Sequence, residues 1–373
     1  MSRFTIKIRL IVSVVVLLAV SMGSLVTLLT MRSTSSQQEA SFTYAEQLSQ
    51  VAAQQVQAEV SQGMATARDL AQVLSSMAQR SPNRAAADLA QKQLLATHPN
   101  FLGVWSGWEP NAFDYQDAAY AGKLGTDATG RYIAYWHRNG DAITVDPLTD
   151  YEKPGAGDYY LIPRNSGQEK VLEPYIYQVS GKDVLMTSLA VPITVSGKVV
   201  GVAGVDMALS ALQAKVDAIR PYGVGRATLV STAGAVVAGK GKGVTVGKPL
   251  SGITATASSE SAKANKASLQ VADIAGTQQL LVATPVHLGS VDTWSLLVQI
   301  PTDVVLAPAH SLRTQAIVLT IVALLAAGLA TLLMARGIVR PIEQLRDRMA
   351  EIADGEGDLT QRVAEDQTTE IGQ

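Results

Sequence analysis

One stretch of this chain concentrates side chains able to hold a small cation. Tyr135, Trp136, Asp150, Tyr151, Glu152, Asp158, Tyr159, Tyr160, Glu173, Tyr175 and Tyr177 fall within one short region, although aromatic residues make up only 5% of the sequence. Aromatic ring faces attract ammonium groups, and carboxylates add charge-assisted hydrogen bonds. The competing use of such rings is to fill the core of a small sheet domain. Taken as a cluster, they point to a ligand box, with Tyr135, Trp136, Tyr160 and Tyr175 as walls and Asp158 as a charge partner.

The rest of the sequence argues against catalysis. It holds no Gly-x-x-x-x-Gly-Lys-Ser/Thr loop, no Gly-x-Ser-x-Gly elbow and no His-Glu-x-x-His pair. Its four histidines include no pair at i,i+4 spacing, so no histidine metal site is expected. The absence of cysteine removes disulfides, thiolate metal sites and cysteine nucleophiles. The net charge of −2 gives no electrostatic handle on nucleic acid. Neither enzyme activity nor a cofactor is expected.

The elements that would position such a box begin at membranes. The chain is 47% hydrophobic and only 17% charged, a balance that suggests membrane segments. Leu10 to Met31 is a run of 22 residues without a charge, preceded by Arg3, Lys7 and Arg9. About 20 apolar residues span a bilayer core, and the run exceeds a signal-peptide apolar region of about 7–15, so an uncleaved anchor is expected. A second uncharged run, Thr314 to Ala335, precedes Arg336 and Arg340. The basic flanks place both ends in the cytoplasm and the residues between outside the inner membrane. The protein is expected to be a two-pass inner-membrane protein with a periplasmic or extracellular ectodomain.

Thr34 to Ala78 reads as a long helix without proline, with Leu48, Val51, Ala52, Val56 and Val60 at three- to four-residue spacing. Ser81-Pro82-Asn83 ends it. Short strands follow at Phe101–Trp108, Tyr132–His137, Asp183–Thr194 and Lys198–Asp206, the last two joined by a Val195-Ser196-Gly197 hairpin signal. A second set runs over Ala227–Ser231, Ala235–Gly239, Leu269–Ala272, Gln279–Val286 and Trp294–Ile300. Two antiparallel blocks behind one long helix suggest a tandem α+β ectodomain.

Several ordered motifs resemble a known family. Phe101-Leu102-Gly103-Val104-Trp105, Gly130-Arg131-Tyr132-Ile133-Ala134-Tyr135-Trp136, Gly157-Asp158-Tyr159-Tyr160, Glu173-Pro174-Tyr175 and Gly201-Val202-Ala203-Gly204-Val205-Asp206 look like the double Cache sensor domain of bacterial chemoreceptors. The resemblance implies two PAS-like modules, the membrane-distal one holding the ligand. Amino-acid-binding members share an Arg-x-Trp-Tyr motif whose Arg holds the ligand carboxylate, while a later Tyr and Asp hold its ammonium. Here Gly157 stands at the Arg position and Tyr159 at the Trp position, whereas Tyr175 and Asp206 match the ammonium side. The resemblance thus implies Asp206 as the main charge partner and a preference for amines, because an unpaired buried carboxylate is costly. Arg131, Arg138 or Arg164 would be the alternative sources of a carboxylate contact.

After the second span, Pro341 and an Ile342, Leu345, Met349, Ile352 seam, then Gly355-Glu356-Gly357-Asp358-Leu359-Thr360 and Glu370-Ile371-Gly372, are similar to the HAMP relay. The sequence stops at Gln373, where a second HAMP helix would begin, so the output domain is expected beyond it. The expected order is a cytoplasmic start at 1–9, a membrane helix at 10–31 and a stalk helix at 32–80. A distal module at 81–210 and a proximal module at 211–312 follow, then a membrane helix at 314–335 and incomplete HAMP at 336–373. The resulting expectation is a homodimeric, methyl-accepting chemotaxis-type receptor. It senses an extracytoplasmic amine or polyamine and relays to chemotaxis proteins. The alternatives are the same front end on a histidine kinase or diguanylate cyclase, or a ligand that is an amino acid, purine or organic acid.

Overall fold

The computed structural model describes residues 6–290 and 292–353. They form two units: residues 41–305, and the described residues up to 40 together with those from 306.

Helix α1 runs from Ile6 to Arg80. Its early part is apolar all round, with Val16, Leu17, Val20, Leu25, Leu28 and Leu29 exposed. From Ser41 it becomes amphipathic: Ala45, Ala52, Val56, Val60, Ala67, Leu70 and Leu74 are buried at the spacing of one helix face. Pro82 disfavours a helical residue before it, and α1 stops two residues earlier. Asn83 then caps α2 (Arg84–Thr97), its side chain accepting from Ala86 N at 3.0 Å.

The first sheet comprises β1 (Gly103–Trp108), β2 (Ala134–Asn139), β3 (Ala142–Pro147), β4 (Lys170–Val171), β5 (Tyr175–Val179), β6 (Lys182–Val195) and β7 (Lys198–Ala208). The order is β3-β2-β1-β7-β6-β4, with β5 also pairing β6. Helix α3 (Asp158–Ser166) lies between β3 and β4 in the chain, and α4 (Leu209–Ala218) leads out. The β6–β7 turn places Ser196 and Gly197 at φ 47° and 79°, the two positive φ values that a tight hairpin turn needs. The second sheet comprises β8 (Arg226–Val230), β9 (Val236–Gly239), β10 (Ser268–Ile274), β11 (Thr277–Leu288) and β12 (Asp292–Pro301), ordered β10-β11-β12-β8-β9. Helix α5 (Gly252–Ala264) packs on it.

The first sheet buries both faces, and strand alternation decides which residue goes where. Val104, Leu189, Ala203, Val205 and Met207 join the large core that includes α1. Their chain neighbours Trp105, Ala190 and Val202 face a second cluster with Tyr135, Tyr159, Tyr160 and Tyr177. Each large apolar side chain so buried contributes roughly 1.5–3 kcal/mol.

Helix α6 (Thr302–Val305) precedes α7 (Ala307–Ala353). Among the described residues one segment, Ala307–Leu333, is long and apolar enough to cross a membrane, with mean hydropathy 2.6. Ile317, Leu319, Val322, Leu325 and Leu329 on it are exposed rather than packed in a core. The HAMP-like stretch from Gly355 to Gly372 lies outside the described residues.

Candidate ligand-binding site

Asp206 is the centre of the second cluster. It sits on β7 opposite Gly103 of β1 and Ser188 of β6 and is only 2% exposed. Trp105 Nε1 donates to its Oδ1 at 2.8 Å, and Ser188 Oγ donates to the same oxygen at 2.5 Å. Because the Ser188 hydroxyl proton is committed there, the Tyr175 hydroxyl is the donor in its 2.6 Å bond to Ser188 Oγ. The Tyr135 hydroxyl is buried beside this carboxyl and helps to hold its charge.

Aromatic rings wall the carboxyl. Trp105 meets Tyr159 edge-on at 5.3 Å between centroids, and Tyr135 meets Tyr177 edge-on at 5.5 Å. Tyr159 and Tyr175 lie nearly parallel at 6.1 Å. Tyr159 OH donates to Thr149 O at 2.7 Å and Thr149 N donates to Tyr177 OH at 3.0 Å, so the β3–α3 connection holds two walls in place. Two glycines make room. A Cβ on Gly204 would lie 2.2 Å from the Trp105 ring, and one on Gly103 would lie 2.4 Å from the Tyr135 ring.

The electrostatics are strained in one direction. Burial pushes the Asp206 carboxyl up to about 6, while the bonds from Ser188 and Trp105 pull the other way. Burial likewise raises the Tyr135, Tyr159 and Tyr175 hydroxyls, which stay neutral. The box is thus a neutral aromatic shell around one carboxylate whose hydrogen-bond partners in the box are all uncharged.

A separate polar network lies beside it. The buried Arg131 donates to Tyr160 OH at 2.8 Å and Glu109 at 3.3 Å, and also bonds Glu152 and the Trp108 carbonyl. Arg164 binds Glu109 through two bonds of 2.9 and 2.7 Å. Burial raises the Glu109 carboxyl, but the bonds from Arg164 and Tyr160 and the nearby charges more than offset this and hold it low. Arg138 is spent on the carbonyls of Phe101, Leu95 and His98. All three arginines considered as carboxylate grips therefore have partners outside the box.

The structure brings together Tyr135, Tyr175 and Asp206 and separates the other three sequence candidates. Trp136 follows Tyr135 on β2, so it points to the opposite sheet face, where its Nε1 meets Asp88 at 3.3 Å under Lys92. Asp158 accepts from Gly155 N at 2.9 Å and closes the turn into α3. Tyr160 is about 100° around α3 from Tyr159 and serves the Arg131–Glu109 network instead. At Gly157 a Cβ would sit 2.3 Å from Asp150 O, so no side chain fits the position matched to an arginine. Sequence reasoning missed Trp105, Tyr159, Tyr177 and Ser188 as box residues. Their signal is the two-residue strand period, which puts Trp105 beside Gly103 and Tyr177 beside Tyr175.

A long helix carries two antiparallel-sheet modules, the first with a buried carboxylate walled by aromatic rings, and an apolar helix follows in the chain. Comparison with known proteins identifies two of its domains. Residues 90–214 match the methyl-accepting chemotaxis protein-like, first PDC sensor domain, and residues 333–373 match the HAMP domain. The chain thus carries a methyl-accepting chemotaxis protein-like PDC sensor domain and a HAMP segment. It is 30% identical over 309 residues to methyl-accepting chemotaxis protein TlpQ of Pseudomonas aeruginosa, covering 75% of this chain and 43% of that protein. PctB of the same organism is 28% identical over 229 residues, 61% of this chain and 35% of that protein. The chain thus spans less than half the length of these curated relatives. Among solved structures it is similar to the extracellular domain of mmHK1S-Z3, assigned as a histidine kinase. The TM-score is 0.66 at 26% identity, over 73% of this chain and 98% of that one. It is also similar to a methyl-accepting chemotaxis protein, with TM-score 0.61 at 25% identity, over 70% of this chain and 97% of that one.

Proposed function

We propose that this chain is the sensory front of a two-pass chemotaxis receptor whose first module binds a small extracytoplasmic amine or polyamine. The observation that carries the ligand class is Asp206: a buried carboxylate, walled by Trp105, Tyr135, Tyr159, Tyr175 and Tyr177, with only neutral hydrogen-bond partners. A ligand ammonium supplies the missing charge, and the rings supply cation–π attraction. An amino acid would bring a carboxylate into a box whose neighbouring arginines are already engaged.

The basic flanks of the two apolar segments, 10–31 and 314–335, support a topology with residues 33 to 312 outside the inner membrane. The stalk supports a homodimer: Tyr44, Val51, Ala58 and Ala65 recur every seven residues on the exposed side of α1. The HAMP match supports relay to cytoplasmic chemotaxis proteins through an output domain. A kinase output is the second reading, favoured by the similarity to mmHK1S-Z3.

The test is a thermal-shift screen of the full chain in lipid nanodiscs. Mono-, di- and polyamines are compared with amino acids, purines and organic acids. A ligand at a hundred times its Kd stabilises by about 2.7 kcal/mol. Amines alone should raise Tm; a response confined to carboxylates or purines would overturn the ligand class.

A further inference from the structure

The short segment Glu169–Tyr175 touches three parts of the ectodomain at once. Glu169 makes a two-bond ion pair with Arg68 of α1, at 2.6 and 2.7 Å. The same carboxylate accepts Ser290 N, from the β11–β12 turn, at 2.7 Å. Two residues on, Val171 N donates to Asp292 Oδ2 at 2.8 Å while Lys170 Nζ bonds the other oxygen of that buried carboxylate. Glu173 accepts Ala233 N from the β8–β9 turn at 2.9 Å. One edge of the segment is therefore stapled to the second module by three carboxylates.

Its other edge is tied to the Asp206 box. Lys170 and Val171 pair with Ala190 and Leu189 of β6. Leu172 N donates to Ser188 O at 2.9 Å, and Thr187 Oγ1 donates to Leu172 O at 2.7 Å. Tyr175 OH reaches Ser188 Oγ, which itself holds Asp206. The path from the box carboxylate to Asp292 thus runs through one serine and the backbone of Leu172 and Val171. Asp292 opens β12, which lies between β11 and β8 in the second sheet and runs in chain order into α6 and the apolar α7.

We infer that Glu169–Tyr175 is the strap through which the state of the Asp206 box is transmitted to the second module, with Asp292 as its latch. A cation arriving at Asp206 competes with the Ser188 hydroxyl for that carboxylate and so alters the bond that anchors Tyr175 and the strap. The latch moves as a unit because Asp292 is buried: separating it from Lys170 and Val171 N would strand a charge, so its contacts do not loosen gradually. The ligand step of this inference rests on the amine site proposed above; the mechanical step does not.

The experiment is hydrogen exchange by mass spectrometry on the full 373-residue chain in nanodiscs. In its ligand-free arm, Asp206→Asn should change exchange in peptides spanning 289–301 by about twofold to thirtyfold, the range of measured coupling between linked sites. That change should vanish in an Asp206→Asn/Asp292→Ala double variant. If Asp292→Ala does not fold, Glu169→Gln loosens the same joint from the surface and should at least halve the transmitted change. In the ligand arm, saturating n-butylamine should alter the same peptides in the wild type but not in Asp292→Ala, which should still bind it with little-changed affinity. No change over 289–301 on Asp206→Asn, or a change that survives both joint variants, overturns the strap. If n-butylamine fails to bind while the ligand-free arm behaves as stated, the amine reading falls and the strap stands.

Discussion

Replacing Asp206 by Asn should make the ligand-free protein more stable while destroying its ligand affinity. The buried carboxyl titrates at about 6 instead of the ordinary 3.8, because burial opposes its charge. The folded state therefore binds this proton more tightly than the unfolded chain does. Stability is full below about pH 4 and is lost as pH rises through about 6. A gap of about two pH units, at about 1.4 kcal/mol each, costs about 3 kcal/mol at pH 8. Asn keeps an acceptor for Trp105 and Ser188, and its amide can donate to the buried Tyr135 hydroxyl beside it. The assay is thermal unfolding of the full chain from pH 4 to 8, wild type against variant. At about 2–4 °C per kcal/mol for a domain of this size, Asp206→Asn should melt about 6–12 °C higher at pH 8. It should also lose the wild type's decline between pH 4 and 6. A variant that melts lower at pH 8, or a wild type without that decline, would show that Asp206 is a satisfied structural residue rather than a strained anchor.

Other residues separate wall from scaffold. Trp136→Ala should leave amine affinity within about threefold while lowering Tm, since Trp136 faces Asp88 and α2; calorimetry on a variant shown to fold would decide. Gly204→Ala should destabilise by about 1–3 kcal/mol in denaturant unfolding, because its methyl group lands 2.2 Å from the Trp105 ring. Single cysteines along the stalk should crosslink between subunits with a seven-residue period peaking at positions 44, 51, 58 and 65; a flat profile would count against the dimer.

Much of the fold is legible in the sequence because its signals are local. The β6–β7 hairpin is announced by Ser196-Gly197, whose positive φ values the turn demands, and α1 by its uninterrupted three- to four-residue apolar period. Among the unforeseen elements are the helices α2 to α5 and the strands β3, β4 and β5. Two-residue β4 is defined by its partner Leu189–Ala190 and by Asp292, a residue more than a hundred positions away, so no local pattern marks it.

Of the proposed box, about half was legible in the sequence. Asp206 and Tyr175 followed from motif resemblance, and Tyr135 from aromatic density. Trp136 reads as a box wall in the sequence, but the two-residue period of a strand turns it to the sheet face opposite Tyr135. Tyr159 and Tyr160 are neighbours on a helix, and only the packing of α3 tells which one enters the box. Gly103 and Gly204 read as ordinary strand glycines until the rings that lie over them are seen.

The central claim is that a protonated amine pairs with the Asp206 carboxylate, and calorimetric titration with n-butylamine between pH 8 and 5 tests it most directly. The ammonium stays charged throughout, so the ligand itself does not titrate, and a control His137→Gln variant puts a neutral side chain in place of His137, which packs on the Tyr135 ring and pairs with Asp146. Affinity should hold steady above about pH 6 and fall below it toward about tenfold per pH unit, as protons compete for Asp206. At pH 8, Asp206→Asn should bind at least about thirtyfold more weakly. An affinity that rises as pH falls, or one unchanged in a well-folded Asp206→Asn variant, would contradict the account.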